Sequence, residues 1–173
     1  MKTDFWMMHR SVAHYKGGLP VGLEERLLKL YNPDQYVNLC SGSCIKGLTI
    51  DLNAECRPTI VADATRVPLK DNVADLVFID PPYDQTYAKM LYKMKLPSTS
   101  KLLAEATRIA KAGGRIILLH FWTPKKPKGT LLEQLIAIQT GPYKKIRLLS
   151  IFRKNETLLD NPNFIRLEGF NHE

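Results

Sequence analysis

The chain has 173 residues, 45% of them hydrophobic, which suits one domain with a substantial core and requires no second one. Its 25 Lys and Arg residues against 17 acids leave a net charge of +8, which favours an anionic partner such as nucleic acid, DNA or RNA. No segment resembles a signal peptide, and the longest apolar runs, such as Arg115-Ile-Ile-Leu-Leu-His-Phe-Trp122, fall well short of the ~20 residues of a membrane-spanning helix; a cytoplasmic protein with no membrane partner is expected.

In chain order, Pro20 to Tyr31 (PVGLEERLLKLY) sets Leu23, Leu27 and Leu30 at helical spacing, with Pro20 in the first turn and Asn32-Pro33 as a stop, which predicts a helix. Four short runs rich in β-branched or aromatic residues follow, at 35–40, 48–51, 59–62 and 74–79, and each is predicted to be a strand. Residues 99–112 carry Leu102, Leu103, Ala106, Ile109 and Ala110 on one helical face. Gly113-Gly114 is expected to cap that helix before a buried strand at 115–119. A helix followed by a buried strand is the pattern of a parallel α/β unit. Past a Lys/Pro loop, 130–139 predicts a helix, and 145–152 with 164–170 a closing strand pair. Neither repeats nor low-complexity tracts occur. Cys40, Cys44 and Cys56 are an odd set that matches no usual metal-ligand spacing, so small buried hydrophobes are expected, with no disulfide framework and no metal.

In a parallel sheet, ligands sit beyond the carboxyl ends of the strands, so the residues that follow each strand carry the functional signal. The first strand runs into Ser41-Gly42-Ser43, the second ends in Asp51, the third leads to Asp63-Ala64, and the fourth to Asp80-Pro81-Pro82-Tyr83. A tight turn lets backbone approach a ligand, and two separate acids can accept from ribose hydroxyls and an adenine amino group. Each element alone is weak, because such turns and strand-end acids are common; their order carries the reading.

That order resembles a class I S-adenosylmethionine-dependent methyltransferase, and Asp80-Pro-Pro-Tyr83 is similar to the signature of the branch that methylates exocyclic amino groups of bases in DNA or RNA. The resemblance covers most of the chain. It implies a Rossmann-like α/β fold with a mostly parallel sheet and a C-terminal antiparallel strand. It implies S-adenosylmethionine as cofactor, held by the loop Asn38, Cys40, Ser41, Gly42 and Ser43, by Asp51 at the ribose, and by Asp63 and Ala64 beside the adenine. Residues 1–173 would form one methyltransferase domain, in which the segment and helix at 1–33 complete the cofactor site: Asp4-Phe-Trp6, His14 to Pro20 and Leu23 to Arg26 look like the family segment that precedes the first loop. The chain departs from the family where the first loop has Asn38 near the usual acid and Gly42 nearly alone. It also leaves too few residues between Ser43 and Thr49 for the usual crossover helix, so either that crossover is reduced to a loop or the second strand lies elsewhere. With no insertion for a target-recognition domain, sequence choice falls to loops, a homodimer or a partner subunit.

The tetrapeptide has a chemical rationale. An amine conjugated to a base ring is a poor nucleophile. Asp80 and the Pro81 carbonyl, each accepting one amine hydrogen, would draw the nitrogen towards a pyramidal geometry. Pro81 and Pro82 stiffen the turn, and Tyr83 would stack on a flipped or unpaired base. The expected activity is methylation of adenine N6 in DNA, with an RNA base or a catalytically silent cofactor- or nucleic-acid-binding subunit as alternatives. His120 is expected to be a hydrogen-bonded structural residue, Phe121 and Trp122 to pack, and Phe5 and Trp6 either to cover the cofactor or to make a contact between molecules.

Overall fold

The structure is a computed structural model that describes residues 1–10, 18–92 and 95–156. Its strands are β1 (Lys2–Met7), β2 (Tyr36–Leu39), β3 (Leu48–Asp51), β4 (Ile60–Val61), β5 (Ala74–Ile79), β6 (Ala110–His120), β7 (Thr130–Gln139) and β8 (Arg147–Lys154). Its helices are α1 (Leu23–Tyr31), α2 (Gln85–Tyr92) and α3 (Thr99–Ile109). Among the described residues the strands form one sheet in the order β1-β7-β8-β6-β5-β2-β3-β4. All neighbours are parallel except β8, which runs antiparallel to both β6 and β7.

Alternation along the central strands divides the core between two faces. On one, Leu102, Leu103, Ala106 and Ile109 of α3 pack with Val37, Leu39, Val77, Ile79, Ile116 and Leu118. On the other, Leu23 and Leu27 of α1 pack with Tyr36, Leu76, Phe78, Ile117 and Leu119. Because β5 is buried on both faces past Asp75, Leu76 to Ile79 is a continuous apolar run without a polar alternate. Among the described residues no helix is long and apolar enough to cross a membrane.

The parallel neighbours β2 and β3 are joined by residues 40–47 alone, which settles the question left open at Thr49: the strand is where expected, and the crossover is a loop. The loop turns through Cys40 (φ 54°), Gly42 (φ 52°) and Gly47 (φ 70°). At Gly47 any side chain would collide, since a Cβ would lie 2.5 Å from both Cδ1 and the carbonyl oxygen of Tyr36.

Three expectations are corrected. Residues 130–139 form β7 and not a helix. Leu131, Leu132, Leu135 and Ile136 fit a helical face, but ladders to β1 and β8 on either side override that local preference. The helix expected to reach Ala112 stops at Ile109, because Ala110 is already extended and paired with Ala74. Gly113-Gly114 is therefore a bulge within β6 and not a cap: the register passes from Ala74↔Ala110 to Leu76↔Arg115. There a Gly114 Cβ would sit 2.9 Å from the Lys111 carbonyl oxygen and 3.1 Å from that of Ala74. Strand β1 and helix α2 were not expected, and the strand predicted at 164–170 lies outside the described residues.

Candidate cofactor and substrate site

Beyond the carboxyl ends of β2, β3, β4 and β5 lies a cavity of about 430 Å³. Asn38, Cys40, Ser41, Gly42, Ser43, Asp51, Asp63 and Ala64 all line it, so the eight strand-end and loop residues assigned to the cofactor from sequence fall in one place, whereas Asp4 to Trp6 and Leu23 to Arg26 are not on its wall. Asp80 and Pro82 line it too, whereas Pro81 and Tyr83 do not. Gly18, Leu19, Cys44 and the segment Lys95 to Ser98 are among the other residues of the wall.

The carboxylate of Asp51 organises the short crossover. Its Oδ2 accepts the Gly42 amide at 2.8 Å and its Oδ1 the Asn53 amide at 2.8 Å, which holds the end of β3 to the turn after β2. Asp63 closes its own turn, accepting from the Thr65 amide and hydroxyl at 2.8 Å each through Oδ1.

Joined to Asn38 on the cavity wall is a polar cluster centred on Glu24. Glu24, from α1, accepts from the Tyr36 hydroxyl at 2.9 Å and from Asn38 Nδ2 at 3.2 Å. Burial raises the Glu24 carboxyl above its ordinary value, against those two hydrogen bonds and the Lys46 charge. Asn38 Oδ1 and Ser41 Oγ are buried without a hydrogen-bond partner in the protein. Orphaned buried polar atoms are uncommon and mark a place built to receive a polar group. Glu24 belongs to the Leu23 to Arg26 segment that the family resemblance marks, but its bond to Asn38 is visible only in the fold.

The Asp80 turn is held from three sides. Its amide donates to the Leu39 carbonyl at 3.3 Å, tying the end of β5 to that of β2. The Tyr83 hydroxyl donates to Asp80 Oδ1 at 2.8 Å, and Arg147 Nη1 donates to the Tyr83 oxygen at 3.4 Å. Desolvation pushes the Asp80 carboxyl up to about 6, with the Tyr83 hydrogen bond and the Arg147 charge pulling the other way. Burial likewise raises the thiols of Cys40 and Cys44, the latter to about 12. Neither is a ready nucleophile.

Around Tyr83 the rings meet edge-on: Phe121 at 4.5 Å and His120 at 5.2 Å between centroids, with Trp122 at 4.7 Å from His120. His120 accepts the Phe121 amide at Nδ1 (2.9 Å), as expected of a structural histidine, and its burial favours the neutral ring. Phe121 packs, but Trp122 stays 47% exposed. Trp6 is buried beneath the Arg26 guanidinium, and neither it nor Phe5 lines the cavity.

No family model matches the chain, and neither does any curated protein. Solved structures do. TrmN from Thermus thermophilus superposes with a TM-score of 0.60 at 19% identity, covering 82% of this chain and 51% of that one. The present chain thus spans about half the length of the Thermus protein. A 1,6-didemethyltoxoflavin-N1-methyltransferase from Burkholderia thailandensis, solved with S-adenosylhomocysteine, gives 0.53 at 9% identity and covers 76% of each chain. The N-methyltransferase NodS from Bradyrhizobium japonicum gives 0.51 at 11% identity, covering 76% of this chain and 94% of its own. The fold is that of the Rossmann-like methyltransferases. The antiparallel strand expected from sequence stands within it, and of the two readings of the first crossover the loop is the one observed.

Proposed function

We propose that the protein is an S-adenosylmethionine-dependent N-methyltransferase acting on the exocyclic amino group of a nucleic acid base, with adenine N6 in DNA as the leading substrate. The observation that carries the proposal is the placement of the half-buried Asp80 carboxylate on the wall of the cavity that all eight cofactor-type residues line. The cofactor supplies an electrophilic methyl on a sulfonium. Asp63, Ala64 and Asp51 are the residues for its nucleoside, and Asn38 Oδ1, Ser41 Oγ and Glu24 are polar partners for its amino-acid end. The domain is single, and its amino-terminal part contributes to this site: Gly18 and Leu19 line the cavity and Glu24 reaches Asn38.

With Oδ1 engaged by Tyr83, Asp80 offers Oδ2 to one amine hydrogen while the Pro81 carbonyl takes the other. Acceptors fixed before the substrate arrives stabilise the developing geometry at no reorganisation cost. The nitrogen must shed a proton once it has gained a methyl group, and a carboxylate made more basic by burial is suited to accept it. Tyr83 fixes Asp80 through its hydroxyl, its ring packed edge-on against Phe121 beside the cavity. Target choice falls to loops or to a second subunit.

A labelled-methyl transfer screen over DNA, transfer RNA, ribosomal RNA and protein, followed by nucleoside identification, tests this reading. N6-methyladenine from DNA is the expected product, and label on an amino group of an RNA base selects the RNA alternative. No transfer to any acceptor, together with no heat on titration with S-adenosylmethionine, would leave a silent subunit.

A further inference from the structure

Strands β6 and β8 are antiparallel neighbours with His120 opposite Leu148, so the residues leaving β6 and those entering β8 lie side by side next to the Asp80 turn. Contacts run outward from that turn without a break. Arg147 reaches the Tyr83 hydroxyl, Tyr83 meets Phe121, Lys145 Nζ lies 5.4 Å from the centre of the Phe121 ring, and Trp122 packs on His120. Trp122 is half exposed, and Tyr143 is fully exposed on a left-handed backbone (φ 59°), a conformation that a bulky residue adopts only under constraint. Lys144 and Lys145 are exposed beside it, and residues 134–154 contain no acid.

Exposed aromatics interleaved with cations form a recognisable chemistry. A ring face accepts any base that is not stacked in a duplex, while neighbouring ammonium and guanidinium groups neutralise phosphates. A protein partner would need an acidic surface to match these cations and would gain little from two separated rings. We propose that Phe121-Trp122 and Tyr143 to Arg147 form a docking platform for a single-stranded segment of nucleic acid, with Trp122 and Tyr143 stacking on bases that flank the target and Lys144 and Lys145 facing the phosphates. The platform rests on the reading of nucleic acid as substrate and adds where, and in what form, the polymer is held.

The chain provides its own reporter. Of its two tryptophans, Trp6 is buried and Trp122 is exposed, so a change in tryptophan emission on binding comes from the platform. Short single-stranded DNA, single-stranded RNA of the same sequence and the matching duplex are titrated into the full chain. Expected are quenching by a single strand, tighter binding of at least one single strand than of the duplex, and loss of the quench but not of binding in Trp122→Phe. Tyr143→Ala, at a side chain with no packing to lose, should weaken binding about tenfold. Lys144→Ala and Lys145→Ala should each lower the slope of log affinity against log salt by about 0.7. Affinity for duplex equal to or above that for both single strands overturns the platform, as do parent-like affinity and salt slope in the Tyr143, Lys144 and Lys145 variants. Methyl transfer is not the readout, so the two proposals fail separately. Binding with these variant effects but without methylation of any polymer keeps the platform and removes the enzyme, whereas methylation with parent-like variants does the reverse.

Discussion

Replacing Asp80 by Asn should make the protein more stable and nearly inactive. Burial raises the Asp80 carboxyl from an ordinary 3.8 to about 6. The folded state therefore holds its proton over a range in which the unfolded chain has lost it, and stability must fall as pH rises through that range. Below about pH 4 both states are protonated and the cost is absent; above about pH 6 it is fully present. A shift of about two units corresponds to about 3 kcal/mol, an upper figure for a side chain that keeps some contact with solvent. Asn has nearly the same shape, can still accept from Tyr83, and carries no charge to desolvate. Asp80→Asn should thus gain about 1–3 kcal/mol at pH 8 and match the parent at pH 4, as read from urea denaturation followed by circular dichroism. Its methyl transfer should drop by roughly a hundredfold or more, with cofactor affinity retained, because an amide donor replaces the acceptor facing the amine. A variant no more stable than the parent at pH 8, or a stability difference that does not change with pH, would refute the description of a desolvated carboxylate. Transfer at the parental rate would reduce Asp80-Pro-Pro-Tyr83 to a strand terminator.

Tyr83→Phe removes a hydrogen bond that lowers the Asp80 value, so the acidic limb of the pH–rate profile should move to higher pH, and an unmoved limb would exclude the Tyr83 hydroxyl from this role. Asp63→Ala should weaken S-adenosylmethionine by roughly ten- to a hundredfold in calorimetric titration. Asp51→Ala should do the same and also lower the unfolding free energy by about 1–3 kcal/mol, because the Gly42 and Asn53 amides lose their acceptor. Unchanged cofactor affinity in both variants would reject the pocket. Gly47→Ala, with its Cβ forced into Tyr36 at a positive φ, should destabilise by more than about 1 kcal/mol in the same denaturation assay.

What the sequence revealed follows the range of the interactions concerned. The β5 turn was legible because a doubly buried strand, its terminating prolines and its acid are contiguous. The cofactor-type residues were legible because a parallel sheet brings each strand end to the same edge, so that order along the chain stands in for position in space. Strand β7 was not, since Leu131-Leu-Glu-Gln-Leu135 has good helix formers at helical spacing, and only pairing with β1 and β8, elements at opposite ends of the described chain, makes it extended. The Gly113-Gly114 pair was misread for a related reason: a cap and a bulge both call for glycine, and the choice between them is made by the carbonyls of Ala74 and Asp75 across the ladder. The contacts of Arg147 and Glu24 were not legible, although Glu24 lies in the Leu23 to Arg26 segment that the resemblance marks. Each acts over a gap in sequence, 64 residues to Tyr83 and 14 to Asn38.

The irregular first loop then has a physical reading. Where the resemblance leads one to expect an acid on or near the first central strand, this chain has Asn38, and where a helix should follow, residues 40–47 return directly to β3. A helix there would have presented unpaired amides and a partial positive charge to an anionic group. The carboxylate has not vanished from the site; it comes from α1 instead, as Glu24, bound to the Asn38 amide that stands in the strand. Asn38 Nδ2 is used on Glu24, which leaves Asn38 Oδ1, with Ser41 Oγ, facing inward without a partner. On the proposed reading, Glu24 behind Asn38 and two uncommitted polar atoms on the cavity wall suit an ammonium-bearing ligand end better than an anion alone. On the proposed reading, the amino-acid end of the cofactor is therefore held by side chains of α1, β2 and the loop, a task that a longer crossover would have shared with helix amides. Helix α1 is itself held firmly, with Leu23 and Leu27 packed on the sheet and Glu24 bonded to Tyr36, so on the same reading it can serve as a fixed backing for the cofactor site.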